Sequence, residues 1–208
     1  MVARNASLWL LVVLILFGCA TARQPPVSLA EGYLSTRTDR IGVVLSEIPK
    51  ADTSFPGADC LLCIALASMA NSSMTSTVQA WSTNELKPLK AELVEALKSR
   101  GQAAVAIDEV LTMDAIPDRS GANPGFARKD FSAWKASSGV ERLLVVHVRA
   151  LGAWRNYSAY VPTGPPRAVF RGEAYIVDLA SHKLDWYETS TLRVRLRAIG
   201  MNRRIFQA

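Results

Sequence analysis

Residues 7–19 form an almost unbroken apolar run near the start of the chain. Arg4 precedes the run, and Gly18 and Cys19 close it. A positive charge, a short apolar segment and a small residue before the cleavage point are the successive parts of a secretory signal. A membrane-spanning helix needs about 20 apolar residues, so this run is too short for one. The sequence therefore predicts an exported chain whose signal peptide covers residues 1–18.

The tetrapeptide that ends at Cys19 resembles the lipobox of bacterial lipoproteins, where cleavage makes the cysteine the lipidated first residue. This resemblance implies that Cys19 carries palmitate-type acyl chains and that these chains attach the protein to a membrane. Ala20 follows the cysteine where an aspartate would signal retention in the inner membrane. We therefore expect the periplasmic face of the cell outer membrane. Residues 19–38, with Pro25 and Pro26, are predicted to be the lipidated cysteine and a short tether.

The chain has 208 residues and a net charge of +6. This length suits one domain with a substantial core. A basic surface in the periplasm suits anionic lipid head groups or an anionic glycan, although an ordinary basic surface has the same composition. Nucleic acid is not an expected partner in that compartment.

Apolar runs and turn residues divide the remainder into strands and helices. Together they predict one α/β (α+β) domain over residues 39–198, with helices packed on a mixed β-sheet in the order β-α-α-β-α-β-β-β. A basic C-terminal tail follows at residues 199–208. Strands are predicted at residues 40–46, 102–111, 142–150, 168–178 and 183–197, and helices at residues 60–70, with a continuation to 83, 86–100 and 131–138.

The last predicted strand alternates between two sets of side chains. Apolar residues on one parity are expected to face the core: Leu184, Trp186, Leu192, Val194 and Leu196. The other parity is expected to line an exposed face: Tyr187, Arg193, Arg195 and Arg197.

Val177 and Asp178 end one strand, and Trp186 lies near the start of the next. This hairpin resembles the closing hairpin of small periplasmic lipoproteins, among them penicillin-binding-protein activators, the curli-secretion lipoprotein and the N-terminal domain of TolB. The stretch 57–73 also resembles an uncharacterised lipoprotein family. The resemblance implies a module that binds envelope proteins or self-assembles without catalysis.

Cys60 and Cys63 form a C-x-x-C pair at the start of a predicted helix. One interpretation is a thiol–disulfide exchange pair, because a helix N-terminus lowers the pKa of the first thiol. Leu61 and Leu62 between the cysteines are unlike the small or Pro- and His-containing pairs of oxidoreductases. A structural disulfide in the first helical turn, or two buried thiols, are the favoured alternatives.

The connection after residue 150 and the last strand hold residue types that are common at binding sites. The predicted partner surface consists of Trp154, Arg155, Tyr157, Tyr160, Arg193, Arg195 and Arg197. For the arginines, the alternative is a charged edge strand that prevents aggregation. The apolar helix 60–70 is interpreted either as a core helix or as a surface for an oligomer or a membrane.

His147 lies in an apolar strand and His182 in a hairpin turn, so both are expected to be structural. No catalytic residues, metal site or cofactor is predicted. The sequence thus favours a lipid-anchored, non-catalytic binding or assembly module of the cell envelope, whose partner is an envelope protein or a second copy. The alternative is a periplasmic thiol–disulfide oxidoreductase that uses Cys60 and Cys63.

Overall fold

The computed structural model describes residues 23–36, 38–121 and 123–195. The predicted signal peptide, Cys19, Arg197 and the basic tail lie outside these residues. The helices are α1 (Tyr33–Thr36), α2 (Leu61–Ala70), α3 (Ser72–Gln79), α4 (Leu89–Lys98) and α5 (Ser132–Ser138). The strands are β1 (Ile41–Leu45), β2 (Asp52–Ser54), β3 (Ala104–Ala106), β4 (Arg142–Trp154), β5 (Tyr157–Ser158), β6 (Val161–Pro162), β7 (Arg167–Asp178) and β8 (Leu184–Arg195).

The main sheet is mixed, with strand order β3-β1-β4-β7-β8. β1 pairs in parallel with β3 and β4, whereas β7 pairs antiparallel with both β4 and β8. β2 pairs in parallel with the far end of β4, beyond the end of β1. The prediction of one α/β domain with helices packed on a mixed sheet is confirmed.

Both faces of the sheet are covered around β1 and the first part of β4, which explains why these strands are almost continuously apolar there. We call the side that carries α1, α3 and α4 the front face and the side that carries α5 the back face. On the front face Val43 and Leu144 pack with Val94 and Leu97 of α4. The back-face core is the larger cluster: Val44, Leu143, Val145, Tyr175, Val177, Leu184 and Phe131, with Trp134 of α5 against it.

A buried cation ties the start of β4 to three carboxylates. The Arg142 side chain is only 8% exposed and forms ion pairs with Asp39, with Asp178 at 3.1 Å and with Asp185 at 2.7 Å. Tyr33 of α1 donates its hydroxyl to the same Asp185 oxygen at 2.8 Å. The cluster therefore joins α1, β4 and the β7–β8 hairpin.

Much of the predicted tether packs on the domain. Val27 forms an antiparallel bridge with Tyr187, and Tyr33 is 5% exposed within the front-face core. The paired prolines predict an extended segment, and an extended segment is also able to pair with the edge of β8, as Val27 does. Part of the predicted tether, from Val27 to Tyr33, therefore belongs to the folded domain.

The strand predicted at residues 102–111 is much shorter in the structure. β3 covers Ala104–Ala106, and Leu111 returns to the sheet through one parallel bridge to Ser46. The acidic residues Asp108 and Glu109 lie in the irregular segment between these two pairings.

The predicted alternation of the last strand holds from Trp186 to Val194 but breaks at Leu184, because Asp185 is an extra residue in the pairing. Ile176 pairs with Trp186 while Val177 pairs with Leu184, so Leu184 joins the back-face core and Trp186 the front-face core. Tyr187 was expected to be exposed but packs beside Tyr175 at a ring-centroid distance of 5.9 Å. Near the end of the strand Leu192 and Val194 are 61% and 46% exposed, since β8 extends beyond the core.

Candidate functional site

α2 is covalently fixed at its first turn. Cys60 is the N-cap residue, and it forms a disulfide with Cys63 one turn later. Cys63 and Ala67 are one turn apart on the helix and pack against Ala58 and Tyr157. A single narrow side of α2 thus contacts the domain.

The remainder of α2 is apolar and exposed. We call these side chains the α2 surface: Leu61 (90% exposed), Leu62 (67%), Ile64 (46%), Leu66 (44%) and Met69 (74%). Of the two interpretations of this helix, the structure favours a surface over a core element. Among the described residues, no single helix is both long and apolar enough to cross a membrane; α2 and α3 reach that length and composition only together, across a bend of 73°.

Asn71 holds the bend between α2 and α3. Its amide nitrogen donates to the Ala67 carbonyl and to the Tyr157 hydroxyl, each at 2.6 Å, and its oxygen accepts from Arg155 Nη1 at 3.0 Å. Arg155 also donates from Nε to the Gly164 carbonyl at 3.3 Å, which connects the loop after β6 to the same network. The network fixes the direction of α2 relative to the sheet.

The predicted partner surface is therefore divided. Tyr157 is 7% exposed, and Arg155 donates to Asn71, so both make contacts within the fold, and a partner contact at either residue stays a prediction. Tyr157 begins the hairpin β5–β6, and its backbone nitrogen donates to the Pro56 carbonyl in the loop before α2 at 2.7 Å. Tyr160 at the hairpin tip is 66% exposed and stays a predicted contact.

Trp154 ends β4 on the back face, where two arginines approach its ring. The guanidinium carbons of Arg193 and Arg171 lie 5.5 Å and 6.0 Å from the ring centroid. Such cation–π contacts hold both guanidinium groups near the face of the ring. Arg195 pairs with Arg167 at the strand ends, and Arg197 lies outside the described residues.

Sequence analysis missed a polar cluster on the back face. Glu173 accepts hydrogen bonds from His147 Nδ1 at 3.1 Å and from the Tyr187 hydroxyl at 2.8 Å, and Arg149 lies 3.5 Å from it. Burial and the bond to Glu173 raise the pKa of Tyr187 to about 12, so the phenol stays a donor at neutral pH. In the sequence, the one indication of this cluster is the acidic residue Glu173 in the middle of a strand that is otherwise largely apolar.

The charge of Glu173 contributes to the folded state. Burial raises the pKa of this carboxyl, but the bonds from His147 and Tyr187 and the charge of Arg149 lower it more, so its net pKa lies below the ordinary value. A depressed pKa stabilises the protein above the ordinary value near 4.5, and that stabilisation is lost as the pH falls through the folded-state pKa.

We therefore expect the free energy of unfolding to fall as the pH drops below about 4.5. In Glu173→Gln this decline is expected to be shallower, because the group that gains a proton on unfolding is gone. Urea denaturation at a series of pH values measures the slope. Thr191→Val, a neutral change on the same strand face, serves as control and is expected to keep the wild-type slope. Equal slopes in all three proteins would contradict this role of Glu173.

The remaining candidates are structural. His182 lies at the hairpin turn with a φ of 60°, and its Nε2 is 3.3 Å from the Ser132 hydroxyl. The hydroxyl in turn donates to Asp130 at 2.5 Å. Among the described residues His182 Nδ1 has no hydrogen-bond partner, so none of their carboxylates orients the imidazole as a serine triad requires. Within the described ranges, no group of three His, Cys, Asp or Glu side chains is placed to hold a metal ion.

Comparison with known proteins gives no family. The chain matches no protein-family profile and no curated protein. Similar solved structures include lipoprotein GNA1162 from Neisseria meningitidis, with 13% identity, a TM-score of 0.32 and coverage of 79% of this chain and 88% of that one. Protein XCC0632 from Xanthomonas campestris, of family DUF330, has 14% identity, a TM-score of 0.38 and coverage of 86% and 81%.

A dodecamer of PelC from Paraburkholderia phytofirmans has 12% identity, a TM-score of 0.30 and coverage of 85% and 83%. These values are too low for a function to be transferred from any of the three. The predicted resemblance to TolB, the curli-secretion lipoprotein and the penicillin-binding-protein activators is not shown by these matches and stays a prediction.

Proposed function

We propose that this chain is a lipid-anchored protein of the cell envelope that assembles with another copy or with an envelope protein through the α2 surface, without catalysis. The observation that carries the proposal is the exposure of α2. A helix that is apolar on all sides is normally buried, yet α2 buries only Cys63 and Ala67. Something outside the described chain must therefore cover it.

The energetic argument is one of area. Burying a leucine or methionine side chain contributes about 1.5–3 kcal/mol, and the α2 surface leaves five large apolar side chains 44–90% exposed. Contiguous apolar surface of this kind on a monomer marks a site of interaction. The hairpin β5–β6 beside it adds Tyr160 and Val161, which are 66% and 54% exposed.

The α2 surface is also held ready for binding. The Cys60–Cys63 disulfide fixes the first turn, and the Asn71 network fixes the last. A helix ordered before it meets its partner loses less conformational entropy on association. An enzyme lid has to open and close, so a helix that is fixed at both ends is unsuited to that role.

The proposed location rests on two separate features. The lipobox-like end of the apolar run at Cys19 supports lipid anchoring, and Ala20 supports the outer membrane with the domain on its periplasmic face. The disulfide between Cys60 and Cys63 agrees with an oxidising compartment, since such bonds are rare in the cytosol. Cys19→Ser is expected to release the chain from the sedimented membrane fraction.

Photo-cross-linking in living cells tests the assembly. Benzoylphenylalanine in place of Leu62 is expected to give a discrete cross-linked protein band, either a dimer of this chain or a conjugate with one envelope protein. The matched control replaces Lys98, which is half-exposed on α4, and is expected to give no such band. Equal cross-linking at both positions would refute the assembly role, and cross-links to lipid alone would assign α2 to the membrane surface.

A second candidate, a thiol–disulfide oxidoreductase, is favoured by one observation. Cys60 is exposed at the N-terminus of α2 while Cys63 is buried beneath it, which is the arrangement of an attacking and a resolving thiol. Insulin reduction that is abolished by Cys60→Ser would support this activity. The assembly proposal expects the same low rate for wild type and for Cys60→Ser.

A further inference from the structure

A groove on the back face lies between the N-terminal segment and the middle of β7 and β8. Its volume is about 540 Å³, and one wall is the chain from Arg23 to Pro26. The other wall includes Arg149, Arg171 and Thr191. We propose that this groove binds the head group of an anionic phospholipid in the membrane that carries the acyl anchor.

The groove has the side chains that a phosphate diester needs. Three guanidinium groups line it, those of Arg23, Arg149 and Arg171. Guanidinium binds phosphate oxygens through paired N–H donors, and its weak hydration makes that exchange of water for phosphate less costly. Thr189 and Thr191 pair with Glu173 and Arg171 on the same face of the sheet, so their hydroxyls add neutral donors to this wall.

The charge balance of the groove is positive. Among the described residues that line it, Glu173 is the acidic one, and its two oxygens are occupied by His147 and Tyr187 with Arg149 nearby. Arg149 keeps about half of its side chain exposed, at 53%. The groove thus offers three cations against one carboxylate that is already hydrogen-bonded.

The position of the groove points to a lipid rather than to a soluble anion. Gln24 is fixed by a bond from the Gly125 backbone nitrogen at 2.9 Å, and Val27 exchanges two backbone bonds with Tyr187 at 2.9 and 3.0 Å. Arg23 is therefore held at the rim of the groove. Cys19 lies four residues before Arg23 in the sequence, and such a segment spans at most about 14 Å.

An acylated Cys19 thus holds Arg23, at the rim of the groove, within about 14 Å of the anchored cysteine. This step rests on the proposed lipid anchoring, whereas the groove chemistry does not. At that distance anionic head groups are present at high local concentration, and each arginine near the surface gains favourable energy from them. The exposed edge of Trp154, between Arg171 and Arg193, lies on the same face of the sheet and suits the membrane interface.

Native mass spectrometry of the mature, full-length protein in detergent tests the proposal. Phosphatidylglycerol and phosphatidylcholine are added in equal amounts, so that both lipids carry a phosphate but only one carries net charge. We expect about tenfold tighter binding of phosphatidylglycerol, the discrimination of one charge-assisted contact. Arg149→Gln/Arg171→Gln is expected to lower phosphatidylglycerol binding about tenfold, to the level of phosphatidylcholine.

The matched control removes two positive charges from the opposite face of the sheet, with Lys87→Gln/Arg100→Gln, and is expected to bind as wild type. Arg23→Gln lies outside the sheet and cannot unfold it, so a loss of binding in this variant confirms the groove even if the double variant is unstable. Equal binding of the two lipids, or no effect of any groove variant, would overturn the proposal. Displacement of the lipid by millimolar inorganic phosphate would also overturn it and assign the groove to a free anion.

The same spectra separate this proposal from the anchoring. The intact mass shows whether Cys19 carries acyl chains, independently of any lipid bound in the groove. An unacylated chain that still selects phosphatidylglycerol would refute the anchor and retain the groove. An acylated chain without selectivity would do the reverse.

Discussion

Arg142→Met is expected to lower the free energy of unfolding by about 3–5 kcal/mol, the usual result of breaking a buried ion pair from one side. Methionine fills most of the arginine volume, so the loss comes from charge rather than from a cavity. Asp185, whose side chain is 13% exposed, would keep only the Tyr33 hydroxyl, and Asp178 would lose its cation. Burial raises the pKa of Asp178, but hydrogen bonds from Ser181 and Ala180 and the charge of Arg142 bring it below its ordinary value.

Urea denaturation followed by far-ultraviolet circular dichroism measures this loss. Arg167→Met removes an exposed arginine and is expected to change stability by no more than about 0.5 kcal/mol. Arg142→Met/Asp185→Asn is expected to recover part of the loss, because the carboxylate left without its cation is then neutral. A loss under about 1 kcal/mol in Arg142→Met would show that water reaches the cluster and screens it.

The elements that the sequence predicted well are those in which one local pattern decides the structure. β1 and β4 are apolar at consecutive positions and lie at the centre of the sheet, covered on both faces. α4 carries a leucine stripe, and Val94 and Leu97 on that side are buried. These elements are predicted correctly because the local sequence preference and the tertiary packing favour the same structure.

The errors arose where a distant contact decides the structure. The extra residue Asp185 places Leu184 and Trp186 on opposite faces of the sheet, and its carboxylate pairs with Arg142, which is distant in sequence. Val27 and Tyr33 are packed on the domain by contacts with Tyr187 and Asp185, which no local pattern announces.

The candidate sites show the same division. The C-x-x-C spacing alone placed Cys60 and Cys63 within one helical turn, where the structure joins them. The exposure of α2 was not predictable from the sequence, because an apolar helix is more often a core element. In the structure only one narrow side of α2, with Cys63 and Ala67, contacts the domain. Arg155 and Tyr157 are residue types that are common at binding surfaces, but both form hydrogen bonds with the buried amide of Asn71.

The register of β2 against β4 depends on the absence of one side chain. Gly152 has a φ of 147°, and a Cβ there would lie 1.8 Å from the Asp52 carbonyl oxygen and 2.7 Å from its nitrogen. Both are backbone atoms of β2, so no side-chain rotation relieves the overlap. β2 carries Thr53, which bonds to Thr75 of α3 at 2.8 Å, and Ala51 before it packs with Val78.

Gly152→Ala is therefore expected to separate β2 from β4 and to cost about 3 kcal/mol or more, as steric strain and lost packing combine. Urea denaturation measures the cost, and hydrogen exchange is expected to show faster exchange across β2 and α3 than across β1. Gly164→Ala is the matched control, since nothing lies within 4 Å of its Cβ position, and it is expected to stay within about 0.5 kcal/mol of wild type. Equal unfolding midpoints for the two variants would mean that β2 contributes nothing to stability. If instead only Gly152→Ala is destabilised and also loses the Leu62 cross-link, then β2 and α3 hold α2 in place. The α2 surface then depends on the pairing of β2 with β4.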